Sequence, residues 1–138
     1  MPGIDFNHAM IYSRNVAAAS DFYRMLGFEL LETFEYSGMQ VYARLKAPQG
    51  SNTIALHLLE RGKELNPGAI RLYFEVRNLE SFCKRLEKAG VKLSKAPKMM
   101  QWGWKHAYLD DPDGHEVSIY TAGAKRLKKA KPQKAAAV

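Results

Sequence analysis

At 138 residues, with 46% hydrophobic and 25% charged side chains, the chain is sized for one domain with its own core. That composition excludes general disorder, collagen and a coiled coil. No apolar run approaches the ~20 residues that span a bilayer. The first residues lack the basic and apolar regions of a signal peptide, and one cysteine cannot form an internal disulfide, so a cytoplasmic protein is expected. The formal net charge is +7, which on its own would suggest a nucleic-acid partner. Residues 124–138 carry six of those charges (Lys125, Arg126, Lys128, Lys129, Lys131 and Lys134) and no acid, leaving the body near neutral.

In chain order, residues 8–13 read as a strand, and Asn15 as the cap of a helix over 16–26, since its side-chain oxygen can accept from a first-turn N–H. Val16, Ala19, Tyr23 and Leu26 form that helix's apolar stripe. Gly27 ends it, and strands follow at about 28–36, 40–46 and 53–59. The pattern then repeats at a shift of 63 residues, which carries Arg14-Asn15 onto Arg77-Asn78 and Gly27 onto Gly90. A strand over 70–76 precedes a helix over 79–89 striped by Leu79, Phe82, Cys83, Leu86 and Ala89, so Cys83 reads as core. Strands are expected at about 91–96, 104–110 and 115–121, with Ser37-Gly38 and Asp111-Pro112-Asp113-Gly114 as turns. The expected fold is α+β: two tandem βαβββ modules, about 5–60 and 69–122, within a domain over 1–123, followed by a basic tail over 124–138. Helices on the outside would leave a curled, cup-like mixed sheet within.

Strand alternation sorts the side chains. Ala9, Ile11, Leu72, Phe74 and Val76 belong on the helix side. His8, Met10, Tyr12, Gln40, Tyr42, Arg44, Ala55, His57 and Leu59 line the cup from the first module. Arg71, Tyr73, Glu75, Trp104, His106, Tyr108, Glu116, Ser118 and Tyr120 line it from the second. A polar and aromatic inner face beside an aliphatic outer one suits a small-molecule site.

At this point the chain resembles the vicinal oxygen chelate superfamily, which includes glyoxalase I, extradiol dioxygenases, fosfomycin resistance enzymes and bleomycin resistance proteins. The matching residues are His8-Ala-Met-Ile-Tyr, Asp21-Phe22-Tyr23, Leu26-Gly27-Phe28 and the closing Tyr108-Leu-Asp-Asp-Pro-Asp-Gly-His-Glu-Val117; the resemblance spans roughly residues 5 to 122. It implies four cup-facing metal-ligand positions, which fall on His8, His57, Arg71 and Ser118. Arginine has no lone pair to give, and serine is a poor ligand, so the family's full set is not present.

Three readings stay open. A rearranged site of His8 and His57 with His106 or Glu116 would hold zinc, nickel, iron or manganese. A glyoxalase-like lyase, isomerase or dioxygenase would then use Glu116 or Glu75 as its base. Alternatively, the cup takes an organic ligand without metal: Arg71 and Arg44 would meet a carboxylate or phosphate, and Tyr42, Tyr73, Trp102, Trp104 and Tyr108 would form aromatic walls. The bland alternative pairs Arg71 with Glu75 or Glu116 and leaves the histidines as satisfied polar groups. His115 reads as part of its turn, with no chemistry expected. The resemblance also implies a homodimer. The tail suits a solvated end, or weak salt-sensitive contact with nucleic acid or an acidic surface; no aromatic is there to stack a base.

Overall fold

Residues 3–122 are described in a computed structural model. The basic tail and its expected nucleic-acid contact lie outside the described residues. Each module opens with a strand and a capped helix. In the first, β1 (His8–Ser13) leads into α1 (Val16–Met25), and in the second, β5 (Arg71–Glu75) leads into α2 (Leu79–Lys88). The two helices have the same length, and the predicted caps form. The Asn15 side chain accepts from the Ala18 N–H and the Asn78 side chain from the Ser81 N–H, both at 3.0 Å. Both helices stop where Gly27 and Gly90 take positive φ, 107° and 87°, a conformation that any Cβ would strain.

The remaining strands are β2 (Glu29–Tyr36), β3 (Met39–Lys46) and β4 (Thr53–Leu58) in the first module, and β6 (Lys95–Met99), β7 (Lys105–Asp110) and β8 (Glu116–Thr121) in the second. Their order is the same in each: β1-β4-β3-β2 and β5-β8-β7-β6. The first strand runs parallel to the last, and the others pair antiparallel. The two tandem βαβββ modules are those expected, each with its own mixed sheet. Among the described residues the strands form two separate four-stranded sheets, and the modules meet through side chains.

A correction concerns β6, expected at about 91–96 and found at 95–99. The apolar residues that suggested the earlier start do another job. Val91 is buried and Leu93 packs against the core, so this stretch descends from α2 to the sheet before pairing begins. Pairing with β7 is then irregular between Lys95 and Lys98, around Pro97, which has no N–H to donate.

One continuous core runs through both modules. Ile11, Tyr23, Leu45 and Leu56 of the first join Leu79, Leu86, Leu109 and Ile119 of the second. The Phe28 and Phe74 rings meet across the seam with centroids 5.2 Å apart. All of these sit on the helix side of their sheets. The opposite faces stay open, which leaves their side chains available for a ligand or a partner.

Candidate functional site

Register fixes which cup-facing residues stand side by side. In the first sheet, Tyr12, His57, Tyr42 and Phe34 form one row across β1, β4, β3 and β2. The Tyr12 and Tyr42 rings stand edge-on to His57, at 5.7 and 6.5 Å. His8 stands level with Thr53, four rungs away from that row. At roughly 3.3 Å per rung the two histidines are about 13 Å apart along the strands, too far to share one ion. Each ring donates Nδ1–H locally, His8 to the Asn7 side chain at 2.5 Å and His57 to the Leu58 carbonyl at 2.7 Å. Arg44 is held by the Tyr42 hydroxyl oxygen at 2.9 Å and by Asn7 at 3.3 Å.

In the second sheet, Arg71 stands level with Glu116, and the two form an ion pair at 2.6 Å. The Tyr73 hydroxyl, then Glu116, raise the Arg71 pKa further and hold its charge. The bland alternative of an Arg71–Glu116 pair is therefore what forms. Ser118, taken as the family's last ligand position, is level with Tyr73 instead; the residue level with Arg71 is Glu116. Under the 63-residue shift Arg71 corresponds to His8, and Ser118 corresponds to Ala55 and not to His57. An arginine paired with Glu116, a buried serine hydroxyl bonded to His106 and an alanine do not make a ligand set with His8. Glu75 stands level with Tyr120 and His106, one end of the sheet away from Glu116.

What the second sheet does assemble is a bank of aromatic rings around His106. Tyr120 lies nearly parallel to His106 at 5.1 Å, with Trp104 stacked on Tyr120 at 5.1 Å. Tyr108 lies nearly parallel on its own strand at 5.9 Å. Trp102 and Tyr73 stand close to perpendicular to the imidazole, at 5.4 and 6.3 Å. Both are more than half exposed, at 57% and 54%, whereas His106 is 3% exposed. His106 Nδ1 is 2.7 Å from the buried Ser118 hydroxyl. Burial pushes the imidazole pKa down, so the ring is held neutral.

Sequence reasoning did not find the junction between modules. The β7–β8 turn brings Asp111, Asp113 and His115 within 4.8 Å of one another, the one such group among the described residues. These atoms are committed to protein donors. Asp113 accepts from the Ser13 hydroxyl and the Arg14 N–H, at 2.5 and 2.8 Å. Asp111 accepts from the Tyr23 hydroxyl at 2.7 Å, from the Asp113 and His115 N–H groups, and from the His115 ring. Both carboxylates are engaged on both oxygens, so the group fits a latch and does not fit a metal. The signal was present in the motif, but only the fold shows that it grips the β1–α1 corner. The corresponding junction on the other side has no carboxylate in residues 47–52. A crevice of about 900 Å³ opens there, floored by Phe28, Phe74 and Phe82 and rimmed by Arg77 and Arg85.

Two βαβββ repeats, each with a helix on one face and a polar-aromatic row on the other, define a protein of the vicinal oxygen chelate type. The chain belongs to the Glyoxalase/Bleomycin resistance protein/Dioxygenase superfamily, whose family model matches residues 5–119. Among solved structures, it is similar to a member of that superfamily from Sphaerobacter thermophilus: 26% identity, 86% of this chain and 98% of that one covered, TM-score 0.69. An antibiotic binding protein from a Streptomyces species shares the fold at 22% identity and TM-score 0.70, over 88% of this chain and 98% of that one. A lactoylglutathione lyase from Agrobacterium tumefaciens shares it at 20% identity and TM-score 0.65, over 88% and 96%. A search of curated protein sequences finds no match. No helix among the described residues is long and apolar enough to cross a membrane.

Proposed function

We propose that the protein binds a small planar organic molecule on the concave face of its second module, without using a metal. The observation that carries this reading is the ring bank on β7 and β8, in which Trp104, Tyr120, His106 and Tyr108 lie nearly parallel. Stacked rings with exposed neighbours at the rim offer a flat apolar ligand both area and orientation. Arg71, expected to receive an anion, is matched by Glu116, which favours aromatic over anionic ligands. The antibiotic binding relative supports the same reading by analogy of fold. The metal-free part rests on the ligand chemistry: His8 and His57 are four rungs apart, and Arg71 and Glu116 neutralise each other. We place the binder in the cytoplasm, as a homodimer whose partner covers part of the open faces.

The chain's two tryptophans both lie in this ring bank, so intrinsic fluorescence reports directly on it. Titration with planar aromatic compounds should give saturable quenching, unchanged by EDTA and weakened at least about tenfold in Trp104→Ala. Quenching that is linear and never saturates, or that disappears with EDTA and returns with a divalent metal, would overturn the reading.

A further inference from the structure

His106 carries a polar atom that the fold leaves without a partner. Its Nε2 is shut from water and has no hydrogen bond, and it is the one buried side-chain nitrogen or oxygen of that kind among the described residues. Buried polar groups are nearly always paired, so an exception asks for an explanation.

The neighbouring bond shows what that atom is. A neutral ring has one N–H. If Nδ1 held the hydrogen, it would donate to Ser118, and the buried Ser118 hydroxyl hydrogen would need a further acceptor; Nε2 would also be left bare. If Ser118 donates to Nδ1, the hydroxyl is satisfied and a single group, Nε2–H, remains unpaired. The second arrangement leaves fewer buried groups unsatisfied, so Nε2 is a hydrogen-bond donor. Its surroundings are rings: Tyr108, Trp104 and Tyr120 lie nearly parallel to the imidazole, and Tyr73 and Trp102 stand across it. Trp102 sits at the tip of the β6–β7 hairpin, in a turn closed by Gly103 N–H to Met100 C=O at 2.9 Å, with Gly103 at φ +91°. It is therefore the exposed member of the cluster that can be displaced without disturbing a strand.

We propose that His106 Nε2–H is the specificity-determining donor of the site, and that it selects planar aromatic molecules bearing an uncharged acceptor, such as a ring carbonyl. This rests on the binding reading above and narrows it. In the free protein the Trp102 ring stands across the imidazole, with centroids 5.4 Å apart. The ligand takes Trp102's place against the imidazole, and its oxygen accepts the hydrogen bond that the fold leaves unmade. A flat hydrocarbon gains the stacking alone. A carboxylate also meets the donor but must be desolvated beside the neutral ring, with Arg71 already committed to Glu116.

The test compares isoquinolone with naphthalene, two planar bicycles of similar outline of which only the first carries a ring carbonyl. Binding is read by tryptophan fluorescence and by nitrogen NMR of the histidine rings. Isoquinolone should bind at least about tenfold more tightly than naphthalene, because a buried donor discriminates against an analogue that leaves it unpaired. In His106→Phe that ratio should fall to about one. In the wild-type protein, which needs no variant to fold, the His106 resonances should report the Nε2–H form and shift on adding isoquinolone but not naphthalene. Equal saturable binding of both compounds, or an Nδ1–H ring, overturns this inference and leaves the binding function standing. Saturable binding of neither overturns both.

Discussion

The residues that hold this fold together and those that give it a site are of opposite kinds, and Tyr23 and His106 show the difference. Tyr23 is a polar group fully supplied. Burial first, and then the Asp111 carboxylate, push its pKa far up, so the phenol keeps its proton and donates at 2.7 Å. Tyr23→Phe leaves Asp111 buried with one donor fewer. Bonds to a buried carboxylate contribute more than neutral ones, so the loss should be about 2 kcal/mol. Urea denaturation should show a lower midpoint at unchanged slope, whereas Tyr42→Phe, on the open face, should shift it much less. A Tyr23→Phe midpoint equal to wild type would mean the latch contributes nothing. His106 is the contrasting case, a polar group under-supplied, and that has a consequence for pH. Burial lowers its folded pKa beneath the ordinary imidazole value of 6.5. As pH falls below 6.5 the unfolded chain takes up the proton before the folded one, so the unfolded state binds more protons and stability drops. The contribution of the neutral ring is complete above 6.5 and is lost as pH falls towards the folded pKa. His106→Phe removes this term. Between about pH 7.5 and about pH 5.5 the variant should lose less of its stability than wild type does; equal losses would show that the ring is not held neutral.

At the scale of elements, the repeat was legible because the signals that define it are local. An asparagine cap, an apolar stripe and a glycine stop each act within one helix, and a shift of 63 residues superimposes all three. Asn15 and Asn78 make the same bond at the same length, 3.0 Å, so Asn15→Ala and Asn78→Ala should each cost about 1 kcal/mol in urea denaturation. A cost confined to one cap would show that the modules differ in how much they depend on their helices. Less of the site was legible, because register is not a local property. Strand alternation placed Tyr73, Trp104, His106, Tyr108 and Ser118 on the open face, and their ring contacts and the His106–Ser118 bond agree. It did not tell which residue of β4 stands beside His8, since that depends on the loop over 47–52, and one residue of slip moves every neighbour. His57 therefore looked like a companion of His8 and lies four rungs away. The same limit applied to β6, where Val91 and Leu93 carry the apolar character of a strand but serve the core beneath it.

At the scale of the whole molecule, the arrangement poses a solvation problem that the chain alone leaves open. The helix sides of both sheets are sealed into one core, while the opposite faces expose large apolar side chains. Phe34 is 62% exposed, with Tyr73, Trp102, Met10 and Tyr12 also at the surface. Large apolar side chains left exposed on one face mark a surface that a partner or ligand covers. A second copy of the chain can cover it, because one symmetric patch on each subunit closes a pair without leaving further edges free. The ring bank of β7 and β8 would then gain a wall opposite its stacked faces, which a planar ligand needs if it is to be enclosed and not merely adsorbed. We therefore expect sedimentation equilibrium to give twice the 15.6 kDa chain mass. Phe34→Lys with Met10→Lys, both on the open face of the first sheet, should shift the protein to monomer with its urea midpoint nearly retained, because neither side chain belongs to the core. If the doubly substituted protein remains dimeric, the interface lies elsewhere. If the wild-type chain is monomeric at micromolar concentration, the open faces are the surface that a ligand alone must cover.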